Sequence, residues 1–477
     1  MHIRRGVAVV LFVLASTLPA SSAGPVIPLP VPRAVCGPGS LPEAGVQGRV
    51  TKADLARRTG SRCNLEMIGY LESTAGFRVH RYVDAAGREC AFYDSSPYFQ
   101  TRPSDAVLDP DVNGTFALNM RDPTRPRRTA SLNTPAMRSP HESLSINYPR
   151  GLLASDLGNL ATGPGFVDVY DISKNCLHPR VLSSLPTGVL GHEGTFSPDG
   201  KTFWVSAGAG AYVNDLIGPS RASNVGSLVA LDVSNPALPR PVWATGTIAV
   251  HGLNISADGN TLYAADLGQN RGLTILDVGE VQAREPVPTV RRVGHLTWDT
   301  VSLPQTPIPI TIAGRPYLVE VDEFTHDTIG NFFKNRPMTR PDDMVGAARI
   351  IDIADPRKPR VVSDIRLEVN QPSARAGAQS NDPGANTATG YTAHYCAVPR
   401  ANDPGIVACS FILSGLRVFD IRDPRRPKEI AYFNPPSDGK TPYNAMSAAA
   451  FVPERHEIWY TDANYGFYVL RATNGVW

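Results

Sequence analysis

The chain has 477 residues, 19% of them charged, and a formal net charge of +2. This balance gives no electrostatic basis for binding nucleic acid or a membrane surface. The 41 glycines and 43 prolines lie between short apolar runs, which is typical of an all-β fold with many turns.

The first 23 residues have the pattern of a cleaved export signal. Arg4 and Arg5 form a charged start, residues 7–14 an apolar core, and Ser21-Ser22-Ala23 a small-residue cleavage site. The apolar core is shorter than the roughly 20 residues that a membrane-spanning helix needs. The sequence therefore predicts a secreted, periplasmic or cell-surface protein without a transmembrane segment.

Residues 24–62 form a Pro-rich extension, predicted to be an extended linker with one short helical turn around 53–58. From residue 63 onward, the chain repeats one hairpin. Its clearest copy, 415–433, is an apolar strand that ends near an Asp, an Asp-Pro-x-x-Pro turn, and a second strand. Related copies begin at Asn119, Tyr170, Leu231, Leu276 and Ile351.

Self-similarity with a period of about 40–50 residues predicts a propeller or a solenoid. The hairpin resembles the LVIVD repeat, which is found in bacterial secreted and cell-surface β-propellers. Counting the inner hairpins between these copies predicts seven four-stranded antiparallel blades. They are expected to start near Phe77, His141, His192, His251, His295, His394 and Met446.

Residues 65–71 look like the strand that follows such a turn, although no turn precedes them. We therefore expect this N-terminal strand to close the ring as the outermost strand of the last blade, next to residues 466–470. The domain assignment is a signal peptide (1–23), the extension (24–62) and one propeller (63–477). The aromatic-rich insertion 324–344 is long enough to suggest a functional loop, whose role the sequence leaves open.

Histidine recurs at the start of the predicted inner strands. His141, His192, His251, His295 and His394 share this register, and the first residues of inner strands surround one mouth of the channel. In one interpretation, each imidazole is structural and hydrogen-bonds a neighbouring blade. In the other, three or four adjacent imidazoles bind a transition metal such as copper, because imidazole suits Cu, Zn, Fe and Ni.

Acidic residues at the ends of the second strands would lie near the same mouth, as ligands or as partners that orient the imidazoles. They are Asp156, Asp266, Asp322 and Asp462. No H-E-x-x-H metal motif and no G-x-S-x-G nucleophile motif accompanies them.

The inner-strand histidines resemble those of selenium-binding-type methanethiol oxidases, which are propellers that use copper. This resemblance implies a metal-dependent, copper-using oxidoreductase as the alternative function. The main prediction is a monomeric binding or scaffold module that receives a small molecule or a protein at the His-lined mouth.

The even number of cysteines, six, favours disulfides in an exported protein. Cys396 and Cys409 flank one turn, P-R-A-N-D-P-G, and face each other if the hairpin centres near residues 402–403. Opposed residues of a hairpin are close enough to be bridged, so this disulfide is predicted. The pairing of Cys36, Cys63, Cys90 and Cys176 is left open.

Overall fold

The computed structural model describes residues 26–74, 76–95, 114–156, 165–188, 191–206, 228–268, 271–325, 344–375 and 390–477. These residues form seven antiparallel sheets of four strands each, one of which gains a fifth strand. The predicted all-β, seven-bladed β-propeller is confirmed. The signal segment 1–23 and most of the insertion 324–344 lie outside the described residues.

Two N-terminal strands, β1 (Ser61–Cys63) and β2 (Leu65–Leu71), come before the first blade. The first blade consists of β3 (His80–Val83), β4 (Glu89–Asp94), β5 (Thr115–Asn119) and β6 (Arg127–Leu132). The second consists of β7 (Ser145–Asn147), β8 (Leu152–Asp156), β9 (Phe166–Asp171) and β10 (Arg180–Pro186). The third consists of β11 (Gly194–Phe196), β12 (Thr202–Ser206), β13 (Leu228–Asp232) and β14 (Arg240–Thr245).

The fourth blade consists of β15 (Val250–Ile255), β16 (Thr261–Asp266), β17 (Gly272–Asp277) and β18 (Arg291–Leu296). The fifth consists of β19 (Leu303–Ile312), β20 (Arg315–Glu323), β21 (Ala348–Asp352) and β22 (Arg360–Ile365). The sixth consists of β23 (Ala393–Ala397), β24 (Ile406–Phe411), β25 (Gly415–Asp420) and β26 (Lys428–Asn434). The seventh contains β27 (Ala450–Val452), β28 (Glu457–Asp462) and β29 (Gly466–Ala472).

Helices are short and lie in the connections. They are α1 (Lys52–Ala56), α2 (Pro135–Arg138), α3 (Gly279–Gln282), α4 (Pro372–Arg375) and the 3-10 turns Glu368–Asn370, Ile412–Ser414 and Pro453–Arg455. Within the described ranges, none of the helices has the length and apolar character needed to cross a membrane.

Side-chain capping stabilises the repeated turn between the two outer strands of a blade. At the end of β25, Asp420 accepts the Arg422 N–H at 3.0 Å, and Asp423 accepts the Arg425 N–H at 3.0 Å. The pair Asp352 and Asp355 makes the same contacts in the fifth blade. These Asx turns satisfy backbone donors locally, which explains why the Asp-Pro signature marks the hairpins.

In two blades, the bulged strand after the turn contacts the next blade through a serine. In β22, the Ser363 hydroxyl donates to the Pro424 carbonyl of the sixth-blade turn at 2.6 Å. In β10, Ser183 donates to the Pro236 carbonyl at 2.7 Å. Neighbouring blades are therefore joined through the turn proline of one and the outermost strand of the other.

The ring is closed by the N-terminal strand, as predicted. β2 pairs antiparallel with β29 from Leu65–Ala472 to Leu71–Phe467, and thereby supplies the fourth strand of the seventh blade. β1 adds a fifth strand beside β26. Residues that precede β1 also contact the propeller, since the Val31 N–H donates to Arg366 and the Tyr391 hydroxyl donates to Val50.

Three disulfides cross-link the chain. Cys396 and Cys409 are directly paired across β23 and β24 and are bridged. Cys36–Cys63 ties the N-terminal extension to β1, and Cys90–Cys176 ties β4 of the first blade to the turn of the second.

Gly69 in β2 provides a test of the closure. A Cβ at this buried position would lie 2.0 Å from the Pro123 carbonyl oxygen of the first-blade turn. Gly69→Ala must therefore push β2 away from that turn, and we expect a loss of about 1–3 kcal/mol in the free energy of unfolding. Urea unfolding measures this loss.

The matched control is Gly246→Ala, because a Cβ there meets nothing within 4 Å. This control should unfold like the parent. Equal stability of the Gly69→Ala variant and the control would contradict the contact.

Candidate metal centre

Four of the predicted histidines converge at one mouth of the channel. The rings of His141 and His192 lie 4.5 Å apart between centroids, and those of His192 and His251 lie 4.7 Å apart. His394 approaches from the sixth blade, next to Phe77, whose ring also packs against His141. The second, third, fourth and sixth blades thus each contribute one imidazole.

His295 does not belong to this group, and its predicted place in an inner strand is wrong. It lies in β18, the outermost strand of the fourth blade, paired with Thr274, whose hydroxyl is 3.0 Å from its Nδ1. The cause is α3, which lengthens the fourth-blade turn and shifts the outer strand along the sequence. The fifth blade begins instead with β19.

The histidine register of the fifth blade is occupied by Gln305. Pro304 is paired with Asp322 just as Val250 is paired with Asp266, so Gln305 corresponds to His251. The Gln305 amide donates to Glu142 Oε1 at 2.7 Å. A side chain that donates to a carboxylate in this way restricts the orientation of the carboxylate plane.

Two buried glutamates join the imidazoles. Glu142 follows His141 directly and is 1% exposed, and Glu323 ends β20 and is 3% exposed. The residues His141, Glu142 and His192 place one potential ligand atom each within 4.8 Å of the others, and so do Glu142, Glu323 and His394. Both groups contain Glu142.

Two imidazoles are oriented by backbone carbonyls of the next blade. His251 Nδ1 is 2.8 Å from the Pro304 carbonyl oxygen, and His394 Nδ1 is 2.7 Å from that of Met446. A carbonyl oxygen only accepts hydrogen bonds, so Nδ1 carries the proton in both rings. In the neutral imidazole, the Nε2 lone pair then faces the cluster, as in metal-bound histidines whose other nitrogen donates to a carbonyl.

His394 Nε2 lies 3.3 Å from Glu142 Oε1 and 3.5 Å from Glu323 Oε2. On the other side, His192 Nε2 lies 2.9 Å from Glu142 Oε2. His192 Nε2 and Glu142 Oε2 therefore pair with each other, whereas His394 Nε2 and Glu323 Oε2 are buried and make only these longer contacts among the described residues. Buried polar atoms are normally hydrogen-bonded at shorter distances, so the two long contacts need an explanation.

Local backbone geometry directs these side chains toward the channel. His141 has a φ of 50°, in the left-handed region that a non-glycine residue seldom adopts. Ser143 stabilises this turn, because its N–H and its hydroxyl both donate to the Pro140 carbonyl, at 2.9 and 2.7 Å. The turn brings both His141 and Glu142 into the cluster.

Burial controls the protonation of the centre. It lowers the pKa of His141 and of His251 to about 3, and the nearby His192 contributes in both cases. Burial opposes ionisation of Glu142, but His192 and imidazole hydrogen bonds hold the pKa of Glu142 well below its usual range. At neutral pH, His141 and His251 are therefore uncharged, which is the form that binds metal ions.

The four predicted aspartates lie outside both ligand groups, among the described residues. Asp322 accepts the Ser302 N–H at 3.2 Å, and Asp462 accepts the Asn444 N–H at 2.9 Å. Asp266 accepts the Thr274 hydroxyl at 2.8 Å, and Asp156 is fully buried. Asp322 and Asp462 thus hold the segments that lead into their own inner strands.

A layer of polar contacts separates the centre from the rest of the channel. Arg78 forms an ion pair with Glu193, which also accepts from Thr306 at 3.0 Å and from Tyr395 at 3.4 Å. Burial raises the pKa of Glu193 to about 7, although Arg78 opposes this effect. Beyond this layer, a cavity of about 670 Å³ is lined by Tyr82, Val398 and other inner-strand residues.

Sequence reasoning missed both glutamates. Glu142 has a detectable signal, since His-Glu occurs at the same register in two neighbouring blades, at 141–142 and 192–193. The isolated parallel bridge between Glu142 and Glu193 places these two residues side by side in neighbouring blades. Glu323 has no counterpart in the repeat, so only the fold brings it to the centre.

No protein-family model and no curated protein matches the sequence. Among solved structures, the chain is similar to the periplasmic gluconolactonase PpgL of Pseudomonas aeruginosa, with 15% identity and a TM-score of 0.51 over 74% of this chain and 86% of that chain. It is also similar to the hydrazine synthase of Kuenenia stuttgartiensis, with 13% identity and a TM-score of 0.52 over 85% and 98% of the two chains. Such identities support the fold alone.

The buried Asp94 at the end of β4 predicts a pH dependence of stability. It accepts the Phe77 N–H at 3.0 Å, and burial raises its pKa to about 7. An Asp in an unfolded chain has a pKa of about 3.9. The folded protein therefore binds the extra proton between these values, and the free energy of unfolding decreases as the pH rises from about 4 to about 7.

Asp94→Asn should remove the contribution of this carboxyl group to the slope of the free energy of unfolding against pH. This contribution is at most about 1.4 kcal/mol per pH unit. Urea unfolding across this pH range measures the slope. Asp423→Asn, in an exposed turn where Asn keeps the same capping, is the control and should retain the parental slope. An Asp94→Asn variant with the parental slope would exclude the assigned pKa.

Proposed function

We propose that this protein is an exported binding module that holds a transition-metal ion at the mouth of its propeller channel. Glu142, Glu323 and His394 are the proposed ligands, and His251 lies beside them, with its Nε2 3.8 Å from Glu323 Oε2. The observation that carries the proposal is that buried imidazole nitrogens and carboxylate oxygens from different blades lie within 4.8 Å of one another. A cation between these atoms would satisfy all of them.

The donor types indicate the class of metal. Imidazole nitrogens and carboxylate oxygens are the donors in both ligand groups of the described residues, and no thiolate is among them. All six cysteines are in disulfides. Such a set favours borderline divalent ions such as Zn²⁺, Fe²⁺ and Cu²⁺ over Cu⁺, which prefers sulfur ligands.

A second candidate function is metal-dependent catalysis, with the copper oxidoreductase as the specific form. Three protein ligands would leave coordination positions for a substrate, as in catalytic metal sites. The His192 side chain at the same mouth retains 14% exposure, which favours access from solvent. Oxygen uptake by the copper-loaded protein with a thiol such as methanethiol would favour this candidate over a pure binding module.

Export in soluble, monomeric form is part of the proposal, together with a cleaved segment 1–23, an extension 24–62 and the LVIVD-type identity of the repeats. The three disulfides support an oxidising compartment. A small molecule or a protein that binds at the metal-containing mouth is the proposed partner.

Metal analysis of the purified full-length protein tests the proposal. We expect at least one equivalent of a transition metal in the parent, and about one equivalent less in His394→Ala, because this variant removes a ligand of the proposed ion. His178→Ala removes an exposed imidazole far from the mouth and should retain the parental content. A folded parent that contains no metal, and takes up none from Zn²⁺ solutions, would contradict the proposal.

Gln305 provides a finer test, because it contacts Glu142 without being a ligand. Gln305→Leu should weaken Zn²⁺ binding by about 10–100-fold, as expected for loss of a group that orients a ligand. The control is Asn254→Leu, since Asn254 is a channel amide that lines the cavity beyond the Arg78–Glu193 pair. Equal Zn²⁺ affinities of the two variants by calorimetry would exclude an orienting role for Gln305.

A further inference from the structure

We propose that the channel mouth contains a second metal position, formed by His141, His192 and Glu142, and that Glu142 bridges the two ions. This inference rests on the proposed function, which supplies the first ion at Glu142, Glu323 and His394. It adds a dinuclear centre, with the two ions about 3.5–4 Å apart as in other two-metal sites.

The two oxygens of Glu142 face different imidazoles. Oε2 lies 2.9 Å from His192 Nε2, whereas Oε1 lies 3.3 Å from His394 Nε2. The Gln305 amide donates to Oε1 at 2.7 Å and thereby restricts rotation of the carboxylate. A carboxylate held in this way presents one oxygen to each side, which is the arrangement of a bridging ligand.

Each side also has its own buried ligand atoms. His141 and His192 form one group with Glu142, and His394 and Glu323 form the other. Apart from their contacts with Glu142 and with one another, His141 Nδ1, His192 Nε2, His394 Nε2 and Glu323 Oε2 have no hydrogen-bond partner within the described ranges. One ion on the Glu323 side would contact only the ligand atoms on that side of Glu142.

A single metal ion can contact only ligand atoms that lie close to one another. Protein nitrogen and oxygen ligands lie about 2.0–2.2 Å from a zinc ion, so the ligands of one ion lie within about 4.4 Å of each other. His141, His192 and His251 follow one another around the mouth. His141 belongs to the group with His192, whereas His251 Nε2 lies 3.8 Å from Glu323 Oε2 of the other group. The imidazoles at the two ends of this arc therefore face different halves of the centre.

The alternative arrangement is one ion chelated by both oxygens of Glu142, with His192 and His394 on either side. It predicts one ion per chain, and removal of His141 would leave that ion in place. The bridged arrangement predicts two ions and the loss of one on removal of His141. Stoichiometry therefore separates the two.

The experiment uses the full-length protein, stripped of metal, loaded with Cu²⁺ alone and freed of excess by gel filtration. We expect two Cu²⁺ per chain by elemental analysis and a half-field electron paramagnetic resonance signal from two nearby ions. His141→Ala and Glu323→Gln should each bind one Cu²⁺ and lack the half-field signal. Glu193→Gln, which alters the neighbouring Arg78 pair, is the matched control and should bind two.

The outcomes distinguish this inference from the proposed function. One Cu²⁺ in the parent that persists in His141→Ala would overturn the second position and leave the first. No bound Cu²⁺ in the folded parent would overturn both. Circular dichroism of each variant identifies any that is unfolded, and because His141→Ala and Glu323→Gln act on opposite sides of Glu142, either one decides the stoichiometry.

Discussion

At four blade junctions, a turn proline contacts the outermost strand of the preceding blade and thereby limits how the two blades can be spaced. The carbonyl oxygen either accepts from a serine or packs on a glycine that has no room for a Cβ. The contact recurs at four junctions: Gly69 with Pro123, Ser183 with Pro236, Gly294 with Pro356, and Ser363 with Pro424. Because the proposed metal ligands come from several blades, their convergence depends on this spacing.

The orientation of the Glu323 side chain also depends on the residues packed around the end of β20. Its neighbour Asp322 accepts hydrogen bonds from Trp298 and from the buried Arg349, both at 2.9 Å, and Arg349 lies over the Trp298 ring. Buried ion pairs are weak evidence for stability, because the cost of desolvation offsets much of their attraction. Here they fix the end of β20, so that Glu323 faces the imidazoles with little freedom to turn away.

The repeat carries most of the predictable information, and its irregularities explain the rest. The Asp-Pro turns and the isolated strand 65–71 were sufficient to predict the blades and the closure, because both follow from local hydrogen bonding and the need to protect edges. The failure at His295 follows from α3, which breaks the regular spacing of the fourth blade. Glu323 could not be predicted, because nothing in its local sequence distinguishes it from other strand-end acids.

The structural and the metal-binding interpretations of the histidines are compatible, because an imidazole has two nitrogens. In His251 and His394, Nδ1 binds the backbone of the next blade, which explains why the residue recurs in the repeat. Nε2 remains directed into the channel in both. A repeat that uses histidine to join blades therefore presents a partial ring of lone pairs. With two carboxylates, Glu142 and Glu323, that ring has the donor types of the metal site that we propose.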